Sequence, residues 1–539
     1  MKSDSTSVLV VGGSLVGLSA AVFLASLGVP TVLVEKHAGS HPHPRAIGYT
    51  QRTLEIFRTV GLGPLIPEVP RGVRLRRCKV ESLAGRWFEE SDWTPPKPDA
   101  PPKPSAPALE DSPHTGAAIA QDRLEPILRE KARALGADLR LGTELLRFEQ
   151  DADGVTARVR ARDGREHALR AAYMIAADGS RSPVREALSI GRTGPGHLQT
   201  IRSVLFRAPL EEYLEKGISQ FEIEQPGLEA FLTTYADGRW VLMFKDDVER
   251  DEEMVRAAIE KAIGRSDLPI EIITNGRWDL DALVTDRFAS GRVFLAGDAA
   301  HTLPPTRGGF GANTGIHDVH NLAWKLAAVL SGLSTPKLLE SYDAERHPVA
   351  WARLEQTFAR PDYARFAPEL AAGVAILDDA ATELGQLYRS TAVLGAGDEL
   401  PAAARPDQWA GQPGTRAPHL WVEKAGARLS TLDLFGRGWV LLAEDERWSA
   451  AAATAATRLG LDVTGLRIGV DVEPVDAASF REAFGVAAGG ASLIRPDGFI
   501  AWRSVQITAD PEGVLTEALG QVSSAAATRG HLGGGNSQA

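Results

Sequence analysis

A single cysteine, Cys78, stands in 539 residues. No disulfide can close within the chain and no thiol pair exists for redox exchange, which fits a reducing compartment. Long apolar runs are missing too: nothing approaches the roughly eighteen uninterrupted apolar residues of a spanning helix. Met1 to Ser7 is polar, carries one lysine and passes straight into an apolar run. No signal peptide is therefore expected, and the protein is read as cytoplasmic. Positive charge is not in excess. The 59 Lys and Arg against 70 Asp and Glu give a net charge of -11, which leaves no footprint for nucleic acid. The one basic cluster, Arg71 to Arg77, is short and interleaved with apolar residues, as on a solvated strand face. No metal constellation stands out. His41 and His43 lie in HPHP with no Cys or His partner nearby, and His317 and His320, three apart, read as helix-surface residues.

What is present is ordinary for a globular chain: 44% apolar and 24% charged residues, and enough length for about three or four units. Residues 8–11 (VLVV) are a continuous apolar run, the pattern of a strand buried on both faces. A helical stretch follows from Val16 to Leu27, closed by Gly28 and Pro30. The run TVLVE, Thr31 to Glu35, is a second buried strand, which completes a βαβ unit. The stretch from Trp93 to Pro107 holds too much proline for a regular element. A helix is expected at about 121–135 and paired strands at about 137–170. Residues 200–245 read as strands, with Asp237-Gly238 as a hairpin turn. Such strands, lying between two α/β portions, suggest an inserted, mostly antiparallel sheet. Helical periodicity returns at 313–331, ending at Gly332, and more helix is expected to about 392. The segment 401–418 reads as a linker, and WVLL at 439–442 with ASLIRPDGFIAWR at 491–503 suggests a small C-terminal α/β domain. The last ten residues read as a flexible tail.

Three glycine-bearing turns carry the chemistry. The first is VVGGSLVGL. Gly12 permits the tight bend, Gly17 lets helix and strand pack closely, and the helix N-terminus offers unpaired N–H groups and positive dipole to a pyrophosphate. Gly13, Ser14, Leu15 and Val16 complete this candidate cofactor turn, with Ser14 where the fingerprint usually has glycine. Glu35, eighteen residues after Gly17, is placed to accept hydrogen bonds from a ribose hydroxyl, with Lys36 beside it. The second is MIAADGSRSPVREAL, with Asp178-Gly179 after an apolar strand; Arg181 and Arg185 there read as surface charges. The third is RVFLAGDAAHTLPPTRGGFGANTG, with Gly297-Asp298 after another strand. Asp298 is a carboxylate at a strand end, placed to accept hydrogen bonds from cofactor hydroxyls, and His301 reads as a residue that fixes the turn. Gly308 belongs to this glycine-rich segment. The N–H groups of Gly311, Ala312 and Asn313, at a helix start, are expected to face negative charge on a bound cofactor, which the turns alone do not settle as NAD or FAD. No second complete glycine fingerprint exists for a nicotinamide.

Together these motifs, in this order, resemble the single-component FAD-dependent aromatic hydroxylases of the para-hydroxybenzoate hydroxylase fold. PRAIGYTQRTLEIF and QDRLEPIL look like the family's intervening segments. GGFGANTGIHDVHNLAWKLA, YRSTAV, LSTLDLFG and RPDGFIAWR are similar to bacterial aromatic-polyketide hydroxylases, over nearly the whole chain. The resemblance implies an α/β fold: a Rossmann-like FAD-binding domain, an inserted substrate-binding sheet and a thioredoxin-like C-terminal domain. The expected division is 1–75, 112–190 and 280–400 for FAD, 76–111 and 191–279 for substrate, 401–418 as linker, 419–525 thioredoxin-like and 526–539 as tail. Gln121, Arg45 and Leu145 join the cofactor residues on the resemblance, and Asp178 is placed beside the cofactor. Arg45, Pro305 and Tyr235 are the candidates for catalysis, and Pro305 also shapes the loop beside the flavin. Phe231, Trp240 and Phe244 could line an aromatic pocket, although core packing accounts for them equally.

The activity implied is hydroxylation of a phenolic or polycyclic aromatic, with noncovalent FAD, NADPH or NADH, O₂ and a flavin C4a-hydroperoxide. A Baeyer–Villiger oxygenase and a non-catalytic flavin-bearing binding protein are the alternatives. The expected partners are a small aromatic substrate and O₂, with no nucleic acid and no membrane; a homo-oligomer is compatible with the sequence.

Overall fold

The computed structural model describes residues 4–72, 76–92, 110–305 and 310–526. The proline-rich stretch from Trp93, the tail from 527 onward and Gly308 lie outside the described residues. Among the described residues no helix is long and apolar enough to cross a membrane.

The first apolar run ends the strand Asp4–Val11, whose last four residues are all buried. The helix Leu15–Ser26 and the strand Thr31–Glu35 follow. Burial on both faces explains why these strands show no apolar–polar alternation. The strands Val293–Leu295, Glu166–Ala176, Asp4–Val11, Thr31–Glu35 and Asp138–Leu141 run parallel in that order. Each of the three glycine turns leaves the C-terminal end of one of the first three. In open α/β sheets that end is where ligands bind.

A second eight-stranded sheet is built on the long pair Arg192–Arg207 and Glu271–Thr285. Its neighbours pair antiparallel, except Gln220–Gln225 with Arg76–Val80, which run parallel. One face packs on the helix Glu252–Ile263 through Val255, Ile259 and Ile263. Trp240, Leu242 and Phe244 alternate onto that face, so Trp240 and Phe244 belong to this core and not to a pocket. Cys78 is buried in the same cluster.

The helix Phe310–Leu330 begins three residues before Asn313. It packs against the first helix on one side and against the helix Glu340–Phe358 on another. Near its end, Trp324 meets Trp439 edge-on, ring centroids 5.9 Å apart. Covered from several sides, it has little open surface. His317 is accordingly buried, its Nε2 3.0 Å from Thr53 Oγ1, which corrects the surface reading. His320 sits edge-on to Phe23. Regular helix ends at Leu384, earlier than expected. A Cβ at Gly385 would lie 1.7 Å from the Ala404 carbonyl oxygen, so the chain turns there under close backbone contact.

Residues 401–418, expected as a linker, are packed in part: Thr415, Arg416 and Ala417 are buried. Beyond them the strands Val463–Arg467, Trp439–Ala443, Ala491–Ile494 and Ile500–Ser504 form a sheet in that order. The first two are parallel and the later pairs antiparallel. The helices Glu446–Leu459 and Pro511–Val522 pack against each other beside the sheet.

Candidate active site

The three glycine turns converge. Gly12 has φ +104°, and a Cβ there would lie 2.2 Å from the carbonyl oxygen of Ala177, the residue before Asp178. At Gly297, φ +60°, a Cβ would meet Val16 Cγ2 at 2.8 Å. At Gly17 it would fall 1.9 Å from the Gly12 carbonyl oxygen. These glycines serve close packing of the turns on one another, which leaves the polar groups between them for a ligand.

Those groups fit an anionic dinucleotide. The helix Leu15–Ser26 has no side-chain cap and no acidic residue in its first turn. Ser14, at the capping position, instead donates to Glu125 Oε1 at 2.8 Å and accepts from Gln121 Nε2 at 2.9 Å. The first-turn N–H groups, which no helix satisfies internally, are left to another acceptor. Glu35 Oε2 accepts from the Gly13 N–H at 2.6 Å and its Oε1 from the His37 N–H at 2.7 Å. That holds the carboxylate over the turn with lone pairs remaining. Lys36 is exposed beside it. Leu145, half-buried on the core, lies two residues after Thr143, whose N–H donates to the Glu35 carbonyl at 2.8 Å.

Two aspartates retain bonding capacity. Asp178 Oδ2 caps the helix Pro183–Ala187 by accepting from the Val184 N–H at 3.2 Å, while its Oδ1 is buried with no partner. Burial pushes this carboxyl up from its ordinary value. Asp298, in the short turn Gly297–Ala299, is half-buried, with no hydrogen bond or ion pair among the described residues. Around Gly179 and Gly311 there is open space, with no atom closer than 3.9 Å to an added Cβ. An unpartnered buried carboxylate oxygen and an uncapped helix start, converging on open glycine turns, match the hydroxyls and phosphates of FAD.

Other expected residues divide between the site and its frame. Gln121 Oε1 accepts from the N–H groups of Arg45 and Ala46, both at 3.4 Å, so Arg45, Gln121 and Ser14 form one cluster. Tyr235 donates its hydroxyl to the Pro44 carbonyl at 2.6 Å, next to Arg45, and burial raises its pKa. Pro305 is exposed, its carbonyl accepting from the Tyr363 hydroxyl at 2.7 Å. Gly311, Ala312 and Asn313 lie in the first turn of the helix Phe310–Leu330. The Asn313 side chain is turned inward. Its Oδ1 accepts from Thr50 N at 3.0 Å and Thr53 Oγ1 at 2.6 Å, and its Nδ2 donates to the Gly48 carbonyl.

Several residues escaped the sequence. Glu125 joins Ser14 and Gln121, and its i,i+4 spacing from Gln121 was a usable signal. Arg185 is buried, not a surface charge, and donates to the Ala299 carbonyl at 3.2 Å, tying the second turn to the third. Arg181 is exposed and pairs with Asp279. His301 Nε2 lies 2.7 Å from Asp318 Oδ2, and that oxygen also accepts from the Gly297 N–H at 3.2 Å. Among the described residues no group of three or more His, Cys, Asp or Glu is placed to hold a metal ion.

A parallel sheet that gathers three glycine turns around an uncapped helix start defines a dinucleotide-dependent α/β enzyme. Residues 5–357 match the FAD binding domain family, and residues 410–526 match the family described as aromatic-ring hydroxylase, C-terminal. The chain belongs to the FAD-dependent aromatic-ring hydroxylases. It is 39% identical to tetracenomycin B2 monooxygenase-dioxygenase of Streptomyces olivaceus, over 96% of this chain and 98% of that protein. It is 38% identical to 4-methyl-5-nitrocatechol 5-monooxygenase of a Burkholderia species, over 95% and 96%. A solved ternary complex of aklavinone-11 hydroxylase with FAD and aklavinone superposes with a TM-score of 0.86 at 36% identity, covering 97% of this chain and all of that one. The protein is an FAD-dependent monooxygenase of aromatic rings, with NAD(P)H as the family's reductant.

Proposed function

We propose that the substrate is a polycyclic phenol of the aromatic polyketide type, held between the second sheet and the three glycine turns. The observation that carries this reading is the sheet face turned away from the helix Glu252–Ile263. Register places Leu205 opposite Val241, Ser203 opposite Met243 and Phe231 opposite Met243 on that face. The loop carrying Arg45 is docked there: His43 Nε2 lies 3.0 Å from Ser203 Oγ, and Tyr235 holds Pro44. The apolar patch of Leu205, Val241, Met243 and Phe231, bordered on the same face by polar residues such as Arg77, Glu222 and Thr233, suits a flat fused ring system. Among the relatives, the tetracenomycin enzyme and the aklavinone complex are named for polycyclic compounds.

The domain reading follows: FAD on 1–75, 112–190 and 280–400, substrate on 76–111 and 191–279, and a thioredoxin-like unit on 419–525. For the last, support comes from two parallel strands joined through a helix, then two antiparallel strands and a closing helix. With no cysteine in it, thiol exchange is excluded and its part is structural or interfacial.

Bound FAD supplies reduction by NAD(P)H and activation of O₂. The chain's residues bind, orient and exclude water. The open N–H groups at Leu15 and Val16 hold phosphate, and Glu35 and Asp298 accept from sugar and ribityl hydroxyls. The Gly311, Ala312 and Asn313 N–H groups favour negative charge at the helix start. Tyr235, kept protonated by burial, acts as a donor that fixes the Arg45 loop and not as a base. Pro305, held by Tyr363, shapes the mouth beside the ring.

The test is turnover with a panel of polycyclic phenols and NADPH or NADH. Substrate-dependent NAD(P)H oxidation should yield a product with one added oxygen and an intact ring skeleton. A ring-expanded ester would instead establish the Baeyer–Villiger reading, and binding without NAD(P)H oxidation a carrier. Noncovalent attachment is checked by precipitation, which should release all the flavin.

A further inference from the structure

From the Gly297–Asp298 turn a continuous set of buried polar groups runs into the C-terminal unit. Asp318 Oδ2 holds the Gly297 N–H and His301, and its Oδ1 accepts from Arg346 Nε at 2.9 Å. Arg346 also donates to the Tyr388 hydroxyl at 2.8 Å and to the Thr314 carbonyl at 3.3 Å. The Tyr388 ring stacks on Phe499, centroids 4.1 Å apart and planes 12° from parallel. Phe499 closes the turn between the strands Ala491–Ile494 and Ile500–Ser504. At the other end of that turn Arg495 makes a two-pronged pair with Glu345 at 2.6 and 2.9 Å, and Glu345 is the neighbour of Arg346. The side chains of Asp318, Glu345, Arg346 and Arg495 are fully buried.

We propose that the turn Arg495–Phe499 is a strut that sets the position of the flavin-holding turn, with Arg346 and Tyr388 as positioning residues. This rests on reading Gly297–Asp298 as that turn. A buried guanidinium has no water to fall back on. If it loses one acceptor it is drawn toward others, and its planar fork carries Asp318 along. Asp318 in turn holds the Gly297 N–H directly, so a small shift arrives where Asp298 is aimed. Glu345 and Arg495 keep the C-terminal turn from sliding, because sliding would break their two-pronged buried pair, which Lys325 on Glu345 and Asp497 on Arg495 brace from the other sides.

The experiment measures FAD dissociation constants, the visible flavin band and melting temperature for four single variants and for the double variant of Tyr388→Phe with Phe499→Leu. Tyr388→Phe removes one hydroxyl and keeps the stack. Phe499→Leu removes the stack. Trp448→Phe loosens the C-terminal core at a site outside the strut. Asp298→Ala reports on the flavin turn itself. Tyr388→Phe is expected to weaken FAD about three- to tenfold, the range one hydrogen bond supplies, and to shift the band. Phe499→Leu should do likewise, and the double variant should be no worse than the larger single effect. Trp448→Phe should lower the melting temperature and leave FAD affinity alone. If Asp298→Ala leaves FAD affinity unchanged, the placement of the flavin turn is wrong and the strut falls with it. If Asp298→Ala weakens FAD while Tyr388→Phe matches the parent, the coupling alone is overturned. Equal loss of affinity in Trp448→Phe also overturns it. Should Phe499→Leu fail to fold, Tyr388→Phe decides.

Discussion

Arg416 Nη2 lies 2.5 Å from Glu55 Oε1, across 361 positions of sequence, and both side chains are buried. Glu55 also pairs with Arg52 and accepts from Ser112, so its carboxylate is fully engaged. Breaking such a pair from one side costs about 3–5 kcal/mol, whereas replacing both partners by neutral groups can be close to neutral. Arg416→Met should therefore lower the urea midpoint strongly, and adding Glu55→Gln should recover much of the loss. Simple additivity of the two losses would mean the pair is not coupled.

Acid stability follows from the same interface. Burial pushes the Glu55 carboxyl up, but Arg416 and Arg52 outweigh it and hold the group down at about 2. Burial and Arg52 lower His320 to about 3, and burial and Arg416 lower His419 to about 4. All three are depressed in the folded chain, so the unfolded chain binds more protons and stability rises with pH through each window. For the histidines the window runs from their ordinary 6.5 down to those values, and for Glu55 from 4.5 to about 2. Through these groups, unfolding free energy should decline as the pH falls below 6.5 and fall more steeply below 4.5. A flat profile between pH 7 and 5 would contradict the burial of the two histidines.

The parallel sheet and its turns were legible because strands buried on both faces leave continuous apolar runs, and tight turns demand glycine. Glu35 fell at the predicted strand end for that reason. The interface was illegible because its members are far apart in sequence: nothing near Arg416 marks it as the partner of Glu55, and nothing near Arg346 marks it as the partner of Asp318. Trp240 and Phe244 were ambiguous until the register fixed their face. His317 misleads because a polar residue on a helix reads as exposed, and here that helix is enclosed.

Asp298→Ala removes a half-buried carboxylate that has no protein partner among the described residues. Protein stability should thus change little, while the ribityl donors of FAD lose their acceptor at a cost of roughly 1–3 kcal/mol. FAD affinity should drop about ten- to a hundredfold, measured by fluorescence on reconstituted apoprotein. An unchanged affinity would mean that the Gly297–Asp298 turn does not hold the flavin.

Cys78 and the C-terminal unit should behave oppositely. Cys78 is 3% exposed, in the apolar core of the second sheet, and burial raises its thiol further above the reactive range. Cys78→Ser places a hydroxyl among apolar groups, which costs about 1–3 kcal/mol of stability. It touches no residue of the cofactor turns, so flavin reduction by NAD(P)H should proceed at the parent's rate. Truncation after residue 405 removes Arg416, Arg495 and Phe499 together, leaving Glu55 and Glu345 buried without their strongest partners. The residues proposed to hold the flavin all remain, yet the shortened chain should melt far lower or fail to stay soluble. The measurement that separates the two is stopped-flow flavin reduction on folded, FAD-loaded protein. Loss of reduction in Cys78→Ser that stays folded and FAD-loaded would show that the thiol does more than pack.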